Sequence, residues 1–345
     1  MLEIQEQILL APHTTLQIGG PARLYAEITT ESDLLEALAL AESRSLPVFI
    51  LGGGSNLLVP DEGFDGLVLH LAITGPIVAN GNLLEVPAGT EWDTLVRTLA
   101  EQGRSGMECL AGIPGLVGGA PIQNIGAYGQ EAAETIHSVR AYDRHSREFV
   151  VLPRPACHFA YRSSLFNTTA RNRYIVTSVT FALDPAARPN LTYADLRKHF
   201  GPEAQPTPIE VYHAVRHIRA AKGMLLVEGD PDCRSAGSFF KNPIVSPSAL
   251  APIASALNIP EASIPCYPAP EGNLKLPAAW LLDQAGFHKS FTLGEAGISS
   301  KHTLALINRG HASYADIACL RTLIVETVAT RFGIQLEQEP VEPHI

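Results

Sequence analysis

The sequence predicts an α+β protein built from two or three subdomains. Its 345 residues can bury a large core, because the fraction of surface that a chain buries rises with its length. Strand and helix patterns alternate at the amino-terminal end, strand patterns dominate the middle, and helical periodicity returns in the last third. Neither a fixed-period repeat nor a low-complexity tract is visible, so we do not expect a repeat architecture.

Residues 1–72 predict a small α/β unit. A strand at 24–28 precedes a helix whose start is marked by the capping sequence Thr30-Glu31-Ser32-Asp33. That helix carries apolar residues at helical spacing, namely Leu34, Leu35, Leu38 and Leu40. The apolar run at 48–51 predicts a buried strand, and 67–71 predicts another.

Residues 73–206 predict a mainly β unit. A strand at 83–86 and a turn at Gly89 precede a helix around 95–100, which ends near Gly103. A glycine-rich stretch follows at 111–129. Beyond it, 139–142 and 149–152 predict a hairpin, and apolar residues alternate along a strand at 175–183.

Residues 207–324 predict a third unit, which follows a proline-rich stretch at 185–208. Its first helix has Thr207 as the N-cap, Pro208 at the first position and Glu210 completing a capping box. Further on, the sequence predicts a short helix at 278–284 that ends at Gly286, a strand at 303–307, and a long helix at 313–332 that ends at Gly333.

The composition excludes several functional classes. No apolar run could cross a bilayer and no secretory leader follows the first residue, so we expect a soluble protein that stays in the cytoplasm. The net charge of −10 disfavours binding to nucleic acid and requires a local cluster of Arg and Lys for any anionic ligand. The five cysteines are scattered and contain no C-x-x-C pair, which predicts reduced thiols and no zinc site.

The sequence GGGSN at 52–56 lies where a predicted strand ends. Glycine lets main-chain N–H groups approach a pyrophosphate, and the Ser and Asn side chains add polar contacts. No Gly-Lys-Ser/Thr follows, and the G-x-G-x-x-G spacing is missing, so this is neither a P-loop nor a dinucleotide fingerprint. Two interpretations stay open from this motif alone, a phosphate cradle and a tight connection between strands.

Two further glycine-rich stretches favour a cofactor. They are AGIPGLVGGA at 111–120 and QNIGAYG at 123–129. Because ordering glycine loses more entropy than ordering other residues, repeated glycines beside apolar residues indicate main chain packed against something flat and large. An isoalloxazine ring fits that description.

An ordered set of motifs resembles the UDP-N-acetylenolpyruvoylglucosamine reductase family. The motifs run from about residue 13 to residue 339, in the family's order: GGGSN at 52–56, AGIPGLVGG at 111–119, QNIGAYG at 123–129, YRSS at 161–164, AGSFFKNP at 236–243 and KLPAAWLLDQ at 275–284. The order and number of the motifs make the resemblance specific.

The resemblance implies a fold, a reaction and two cofactors. It implies an FAD-binding domain of the vanillyl-alcohol-oxidase type in two lobes, 1–72 and 73–206, with 325–345 returning to the active site and 207–324 binding the substrate. The implied enzyme is a cytoplasmic oxidoreductase acting on a CH–CH bond, with NADPH as hydride donor and UDP-N-acetylmuramate as product. Its partners would be small molecules, and we expect a monomer.

The resemblance also implies three catalytic residues. Arg162 would hold the substrate carboxylate in a planar fork and spread the developing negative charge. Ser238 would donate the proton, helped by a nearby cation such as Lys241. Glu339 would be the acid partner of Arg162, although Glu337 and Glu342 are the alternatives, because the family usually reads Leu-Glu-Pro-Glu-Val-Arg here and this chain reads Leu-Glu-Gln-Glu-Pro-Val-Glu at 336–342.

Cofactor and substrate positions follow from the same motifs. The residues implied for FAD are Gly52, Gly53, Gly54, Ser55, Asn56, Ile113, Pro114, Gly115, Gly118, Gly119, Asn124, Gly126, Ala127 and Tyr128. The residues implied for the nucleotide sugar are Tyr193, Arg216, Lys222, Asn242, Lys275 and Gln284. Tyr193 resembles the tyrosine of the loop that closes over substrate in the longer subfamily.

Some interpretations remain open at this stage. Arg216, Arg219 and Lys222 recur at a spacing of three, which fits either a cluster for an anionic ligand or a solvated helix face. The loop at 223–234 does not match the family pattern. Competing functions on the same scaffold are an FAD-dependent oxidase and a binding paralogue without turnover; the oxidase would often tether its flavin to His or Cys.

Overall fold

The computed structural model describes residues 2–343, and within that range the chain forms two compact units. Unit 1 contains the chain up to Ile8, then Ala22–Gly53 and Asp65–Ala221. Unit 2 contains Leu9–Pro21, Gly54–Phe64 and the chain from Lys222 onward. The mixture of helices with several separate sheets confirms the predicted α+β class.

Unit 1 begins with the small sheet that the sequence predicts. Its strands are β1 (Gln5–Leu9), β2 (Pro21–Ile28), β3 (Val48–Leu51) and β4 (Phe64–Leu71), in the order β1-β2-β4-β3. Strands β3 and β4 are parallel, and helix α1 (Glu31–Ser43) connects β2 to β3. The predicted cap is present, since the Thr30 hydroxyl accepts from the Asp33 N–H and the Asp33 carboxylate accepts from the Thr30 N–H.

A second sheet of unit 1 has five strands in the order β10-β9-β11-β6-β5. They are β5 (Val78–Asn80), β6 (Leu83–Pro87), β9 (Ile136–Asp143), β10 (Glu148–Pro153) and β11 (Tyr174–Ala182), while β7 (Gly126–Ala127) and β8 (Gln130–Glu131) form a separate pair. The predicted hairpin is confirmed as β9–β10. Helices α2 (Trp92–Glu101), α3 (Ala194–Phe200) and α4 (Pro208–Ala221) complete the unit.

Helix α4 groups with unit 1, although the sequence places the boundary before it, at 206/207. Val211, Tyr212 and Val215 are buried in the cluster that contains Trp92 of α2 and Phe181 of β11. An amphipathic helix packs its apolar face against other apolar residues, and the apolar face of α4 is buried in unit 1. The structural division therefore falls at Ala221/Lys222.

Unit 2 contains two three-stranded sheets and three helices. One sheet is formed by β12 (Ile244–Val245), β14 (Leu274–Lys275) and β13 (Tyr267–Pro268), and the other by β15 (Thr292–Leu293), β16 (Ala296–Ile298) and β17 (Leu306–Asn308). The helices are α5 (Leu250–Leu257), α6 (Ala278–Ala285) and α7 (Tyr314–Phe332). Helices α6 and α7 confirm their predictions, with Gly286 and Gly333 left-handed at the C-caps. The strand predicted at 303–307 is shorter and begins at Leu306.

Early segments of the chain complete the core of unit 2. Leu16, Ile18 and Leu58 are buried with Phe239 and Phe240 in one cluster that also takes the apolar faces of α6 and α7. The sequence assigned all of 1–72 to the first lobe. Within residues 2–343, no helix is long and apolar enough to cross a membrane.

Candidate active site

The first two glycines of GGGSN lie in unit 1 beside the second glycine-rich loop. A Cβ placed on Gly53 would lie 2.6 Å from the Cα of Gly115, so only glycine permits this approach of two main chains. The space beside Gly52 and Gly119 is different, because a Cβ on either would meet no atom within 4 Å. The main chain is therefore crowded at Gly53, whereas the space beside Gly52 and Gly119 is open. This open space fits a flat cofactor packed against these loops.

The remaining residues of that turn belong to unit 2. Gly54 has a φ of +63°, and a Cβ there would lie 1.8 Å from the carbonyl oxygen of His13. Both the left-handed conformation and the lack of space therefore require glycine at this position. The Asn56 amide donates to the carbonyl oxygen of Glu339 at 3.2 Å. GGGSN is thus joined to the segment that carries a predicted catalytic carboxylate.

The loop at 111–120 is held to the rest of unit 1 by main-chain hydrogen bonds. The N–H groups of Val117 and Gly118 donate to the carbonyl oxygens of Thr90 and Ala88. The N–H of Gly112 donates to the Asp93 carboxylate at 2.5 Å. These bonds fix the loop without using the side chains of Ile113 and Pro114, both of which are only partly buried.

Asn124 holds the loop at 123–129 from inside. Its buried amide donates to Glu131 Oε2 at 2.7 Å and to the Ala160 carbonyl at 3.0 Å, and it accepts from the Ala133 N–H at 3.0 Å. Since one carbonyl and two N–H donors exhaust most of an amide's capacity, this side chain is committed to the protein. Any contact of Asn124 with a cofactor would come from its main chain.

Arg162 lies against the same loop. Its Nη2 donates to the Gly126 carbonyl oxygen at 2.8 Å, and its guanidinium lies 5.5 Å from the ring centre of Tyr161. The residue has a φ of +51°, a left-handed conformation that is uncommon outside glycine. Backbone strain of this kind concentrates at functional sites, where the surrounding structure imposes it.

Tyr193 contacts Tyr128, one of the residues predicted for FAD. The two rings meet edge to face, with centroids 5.3 Å apart, and Tyr193 remains 41% exposed. Burial raises the pKa of Tyr128 to about 12, so its hydroxyl stays protonated at neutral pH. The sequence did not predict α3, whose N-cap is Tyr193, but it singled out the tyrosine that begins it.

Arg216 is paired with a carboxylate that also binds the glycine-rich loop. Its Nη1 donates to Asp93, which in addition accepts from the Tyr212 hydroxyl at 3.1 Å and from the Gly112 N–H. Asp93 is thus a hub between α2, α4 and the loop, and the sequence analysis missed it. A carboxylate at the second residue of α2 gave no signal that two of its partners lie on a helix more than a hundred residues away.

Arg219 is the second site residue whose importance the sequence understated. It is only 7% exposed, and burial lowers the pKa of its guanidinium, while Tyr128 and Asp93 oppose that shift. Of the two sequence interpretations for the helix face, a solvated one does not hold for this residue. Charged side chains are seldom buried so completely unless they serve a site or an ion pair.

In unit 2, Ser238 and Glu339 lie on paired segments. The N–H of Glu339 donates to the Phe239 carbonyl at 2.9 Å, and the N–H of Lys241 donates to the Glu337 carbonyl at 2.9 Å. Gly237, with a φ of +72°, turns the chain into this pairing just before Ser238. The predicted proton donor and the predicted acid are therefore adjacent in the main-chain ladder.

The three candidate carboxylates differ in what surrounds them. Glu337 is 71% exposed and forms an ion pair with the Lys241 ammonium. Lys241 therefore contacts a carboxylate, whereas the sequence predicted it as a cation near Ser238. Glu342 accepts from Arg321 at 2.6 Å and from the Tyr314 hydroxyl at 2.9 Å. Glu337 and Glu342 are thus both bound to cationic side chains of the protein.

An ion pair and several hydrogen bonds hold the loop that begins at Lys222. Asp230 forms an ion pair with Lys301 at 2.5 Å, and Asp232 accepts from the N–H and hydroxyl of Ser300 at 3.1 and 2.6 Å. The Cys233 sulfur adds a third tie, because it accepts from the N–H of Val227 and donates to Leu225.

The remaining predicted substrate residues lie on the small sheet and helix of unit 2. Asn242 Oδ1 accepts from the Ala278 N–H at 2.9 Å and so caps α6, the helix that carries Gln284. Lys275 is registered between Ile244 and Tyr267. Tyr267 is 58% exposed, and this aromatic face beside a cation is a further candidate that the motif comparison did not name.

The predicted residues are thus divided between the units. Unit 1 holds Gly52, Gly53, Ile113, Pro114, Gly115, Gly118, Gly119, Asn124, Gly126, Ala127, Tyr128, Arg162, Tyr193 and Arg216. Unit 2 holds Gly54, Ser55, Asn56, Lys222, Ser238, Asn242, Lys275, Gln284 and Glu339.

Comparison with protein families identifies both parts of the chain. A family model described as an FAD-binding domain matches residues 22–149, and one described as the C-terminal domain of UDP-N-acetylenolpyruvoylglucosamine reductase matches 230–342. The first match confirms the predicted FAD-binding domain.

Comparison with whole proteins agrees. A Streptomyces coelicolor protein named UDP-N-acetylenolpyruvoylglucosamine reductase is 44% identical over 340 residues, which cover 96% of this chain and 88% of that protein. A Thermobifida fusca protein of the same name is 42% identical, with 96% of each chain covered. The crystal structure of the Thermus caldophilus enzyme of that name superposes with a TM-score of 0.66 and 28% identity, covering 99% of this chain and 98% of the other.

Proposed function

Because the chain belongs to the UDP-N-acetylenolpyruvoylglucosamine reductase family, we propose that it reduces the enolpyruvyl double bond of UDP-N-acetylenolpyruvoylglucosamine to give UDP-N-acetylmuramate, a peptidoglycan precursor. NADPH is the proposed reductant and the cytoplasm the proposed compartment. FAD, when bound, accepts a hydride from NADPH and delivers one to the substrate. The glycine-rich main chain around Gly52, Gly115 and Gly119 holds the cofactor.

Arg162 is proposed to bind the substrate carboxylate. Hydride addition to the terminal carbon of the enolpyruvyl group leaves negative charge beside that carboxylate. A guanidinium can bind it in a planar fork and stabilise the charge as it develops. The hydrogen bond from Arg162 to the Gly126 carbonyl supports this role, because it fixes the cation on a loop that is assigned to the flavin.

Ser238 and Glu339 are proposed to complete the reduction. The Ser238 hydroxyl gives its proton to the carbon beside the carboxylate and regains one from solvent, and the protonated Glu339 carboxyl donates a hydrogen bond to the enolate oxygen while that charge exists. The observation that carries the proposal is the hydrogen bond from the Glu339 N–H to the Phe239 carbonyl, which holds the segments of the two residues side by side.

The nucleotide sugar is proposed to bind through basic, amide and aromatic side chains. Lys222, Lys275 and Arg216 supply positive charge to a chain whose net charge is −10. Asn242 and Gln284 supply amides, and the exposed Tyr193 and Tyr267 supply flat aromatic surfaces. Tyr193, at the start of α3, is the proposed lid residue.

The decisive experiment separates the two half-reactions in the absence of oxygen. NADPH is added first and bleaching of the flavin is followed; UDP-N-acetylenolpyruvoylglucosamine is then added, and the colour should return. In Ser238→Ala we expect normal bleaching and a return slowed by about 10²–10⁴-fold, the usual contribution of a positioned acid.

Ser246→Ala is the matched control, because Ser246 is exposed and its hydroxyl pairs with the Ser248 hydroxyl. It should leave both steps unchanged. Reduced protein that is reoxidised by oxygen but not by the enolpyruvyl substrate would instead indicate an oxidase.

A further inference from the structure

Four side chains join the carboxyl-terminal segment to helix α7. Arg321 Nη1 donates to Gln338 Oε1 at 2.8 Å and to Glu342 Oε1 at 2.6 Å. The Tyr314 hydroxyl, at the start of α7, donates to Glu342 Oε2 at 2.9 Å. Gln338 Nε2 closes the set by donating to Glu342 at 3.2 Å and to the Pro340 carbonyl at 2.6 Å. We call Tyr314, Arg321, Gln338 and Glu342 the tail clamp.

The tail clamp is largely shielded from water. The side chains of Arg321 and Glu342 are 25% and 16% exposed. Burial alone would raise the pKa of Glu342, but the hydrogen bonds from Tyr314 and Gln338 and the charge of Arg321 hold it below its ordinary value. Glu342 therefore stays ionised, and removing one member would leave buried polar groups without partners.

The clamp members flank the predicted catalytic carboxylate. Gln338 precedes Glu339 directly, and Pro340, whose carbonyl accepts from Gln338, follows it. On the main chain, Glu339 donates to Phe239 and accepts from the Asn56 amide. The clamp thus fixes the two neighbours of a residue whose own backbone is already bonded on both sides.

We infer that Arg321 is a positioning residue for the reductase reaction, acting through Gln338 and Glu342 to hold Glu339 at the enolate. This inference rests on the proposed function.

Measuring the two half-reactions separately distinguishes a positioning role of Arg321 from a general structural role, which would affect both steps. In Arg321→Met and Glu342→Gln we expect NADPH to bleach the flavin within about twofold of the parent rate, while return of the colour slows by about tenfold or more, since a misplacement of about 1 Å can cost about 10²-fold. Arg321→Lys keeps the charge and should recover part of the rate. Glu326→Gln, an exposed position of α7, is the matched control and should change neither step.

Three outcomes would overturn the inference. The first is an unchanged rate of colour return in Arg321→Met and Glu342→Gln. The second is an equal slowing of bleaching and colour return. The third is loss of flavin from these variants together with loss of flavin from Arg321→Lys. If Arg321→Met does not fold, Tyr314→Phe decides, because it deletes one hydroxyl and must still slow the second step selectively. A parent protein whose reduced flavin ignores the substrate would instead refute the proposed function.

Discussion

At the scale of single residues, Asp93 shows how much one carboxylate can organise. It accepts hydrogen bonds from the Gly112 main chain, the Tyr212 hydroxyl and the Arg216 guanidinium, and its side chain is 17% exposed. Burial, followed by the charge of Asp93, raises the pKa of Tyr212 to about 12, so that hydroxyl remains a donor. Three donors, two from α4 and one from the glycine-rich loop, therefore depend on one acceptor.

We predict that Asp93→Ala lowers the free energy of unfolding by about 2 kcal/mol, because buried donors lose their acceptor. The dissociation constant of FAD should rise by about tenfold, a change of about 1.4 kcal/mol, as the loop at 111–120 loses its anchor. Denaturant unfolding and flavin titration measure the two effects. Glu101→Ala on the same helix, whose carboxylate is exposed, is the control; equal behaviour of the two variants would contradict the prediction.

At the scale of elements, the loop after α4 depends on a few polar ties. Its apolar residues Leu226 and Val227 are 48% and 46% exposed, so burial does not hold it. The Asp230–Lys301 pair does, together with the bonds of Asp232 to Ser300. A segment with few buried apolar contacts opens at low free energy when such ties are removed.

Lys301→Met is therefore expected to make the 223–230 segment several times more sensitive to limited proteolysis. Because Lys222 begins this loop, the KM for the nucleotide sugar should rise by about five- to tenfold with kcat nearly unchanged, the pattern expected when ground-state binding is lost. Lys289→Met, at an exposed position, is the control. Unchanged cleavage of the loop would show that the ion pair does not hold it.

Elements with local signals were predictable. The capping sequence at Thr30 and the C-cap glycines Gly286 and Gly333 place their helix ends in sequence and structure alike. Helix α3 was missed because it lies within a proline-rich stretch and has no side-chain cap.

Long-range packing explains the other differences. Burial of Leu16 and Leu58 beside Phe239 depends on residues far apart in the chain, which no local periodicity records. The same limit applies to the site. Glycine motifs pointed to the loops, whereas the partners of Asp93 and Glu339 required the fold.

At the scale of the whole molecule, ion pairs and caps make stability depend on pH. Hydrogen bonds and nearby cations lower the pKa of seven carboxyl groups: Glu31, Asp33, Asp143, Glu210, Asp230, Asp316 and Glu342. Their folded pKa values lie below the unfolded ones, so the folded state binds fewer protons and stability rises with pH. The contribution is complete above the ordinary carboxyl pKa and is lost as pH falls through the lowered values.

We predict a free energy of unfolding that is nearly constant from about pH 7 to about pH 5 and falls below about pH 4.5. Asp143→Asn should lower stability at neutral pH and weaken this acid dependence, because it removes a carboxylate that is 4% exposed and bound by two atoms of Arg173. Asp65→Asn, in an exposed pair, is the control. Urea titrations across this range measure both, and identical acid profiles for Asp143→Asn and the parent would refute the assignment.

Unit 2 joins segments from opposite ends of the chain, and this has a consequence during translation. Asn308 donates to Leu16 across 292 positions, and Asn56 donates to Glu339 across 283. Contacts so distant form slowly, because the entropy of closing a long loop is lost before they contribute. On the ribosome, residues 9–21 and 54–64 can pair with each other, as Gly20 does with Pro60, but the rest of unit 2, from Lys222 onward, is synthesised last. A nascent chain can therefore assemble unit 1 first, and the pairing of the Ser238 segment with the Glu339 segment forms only in its final folding step.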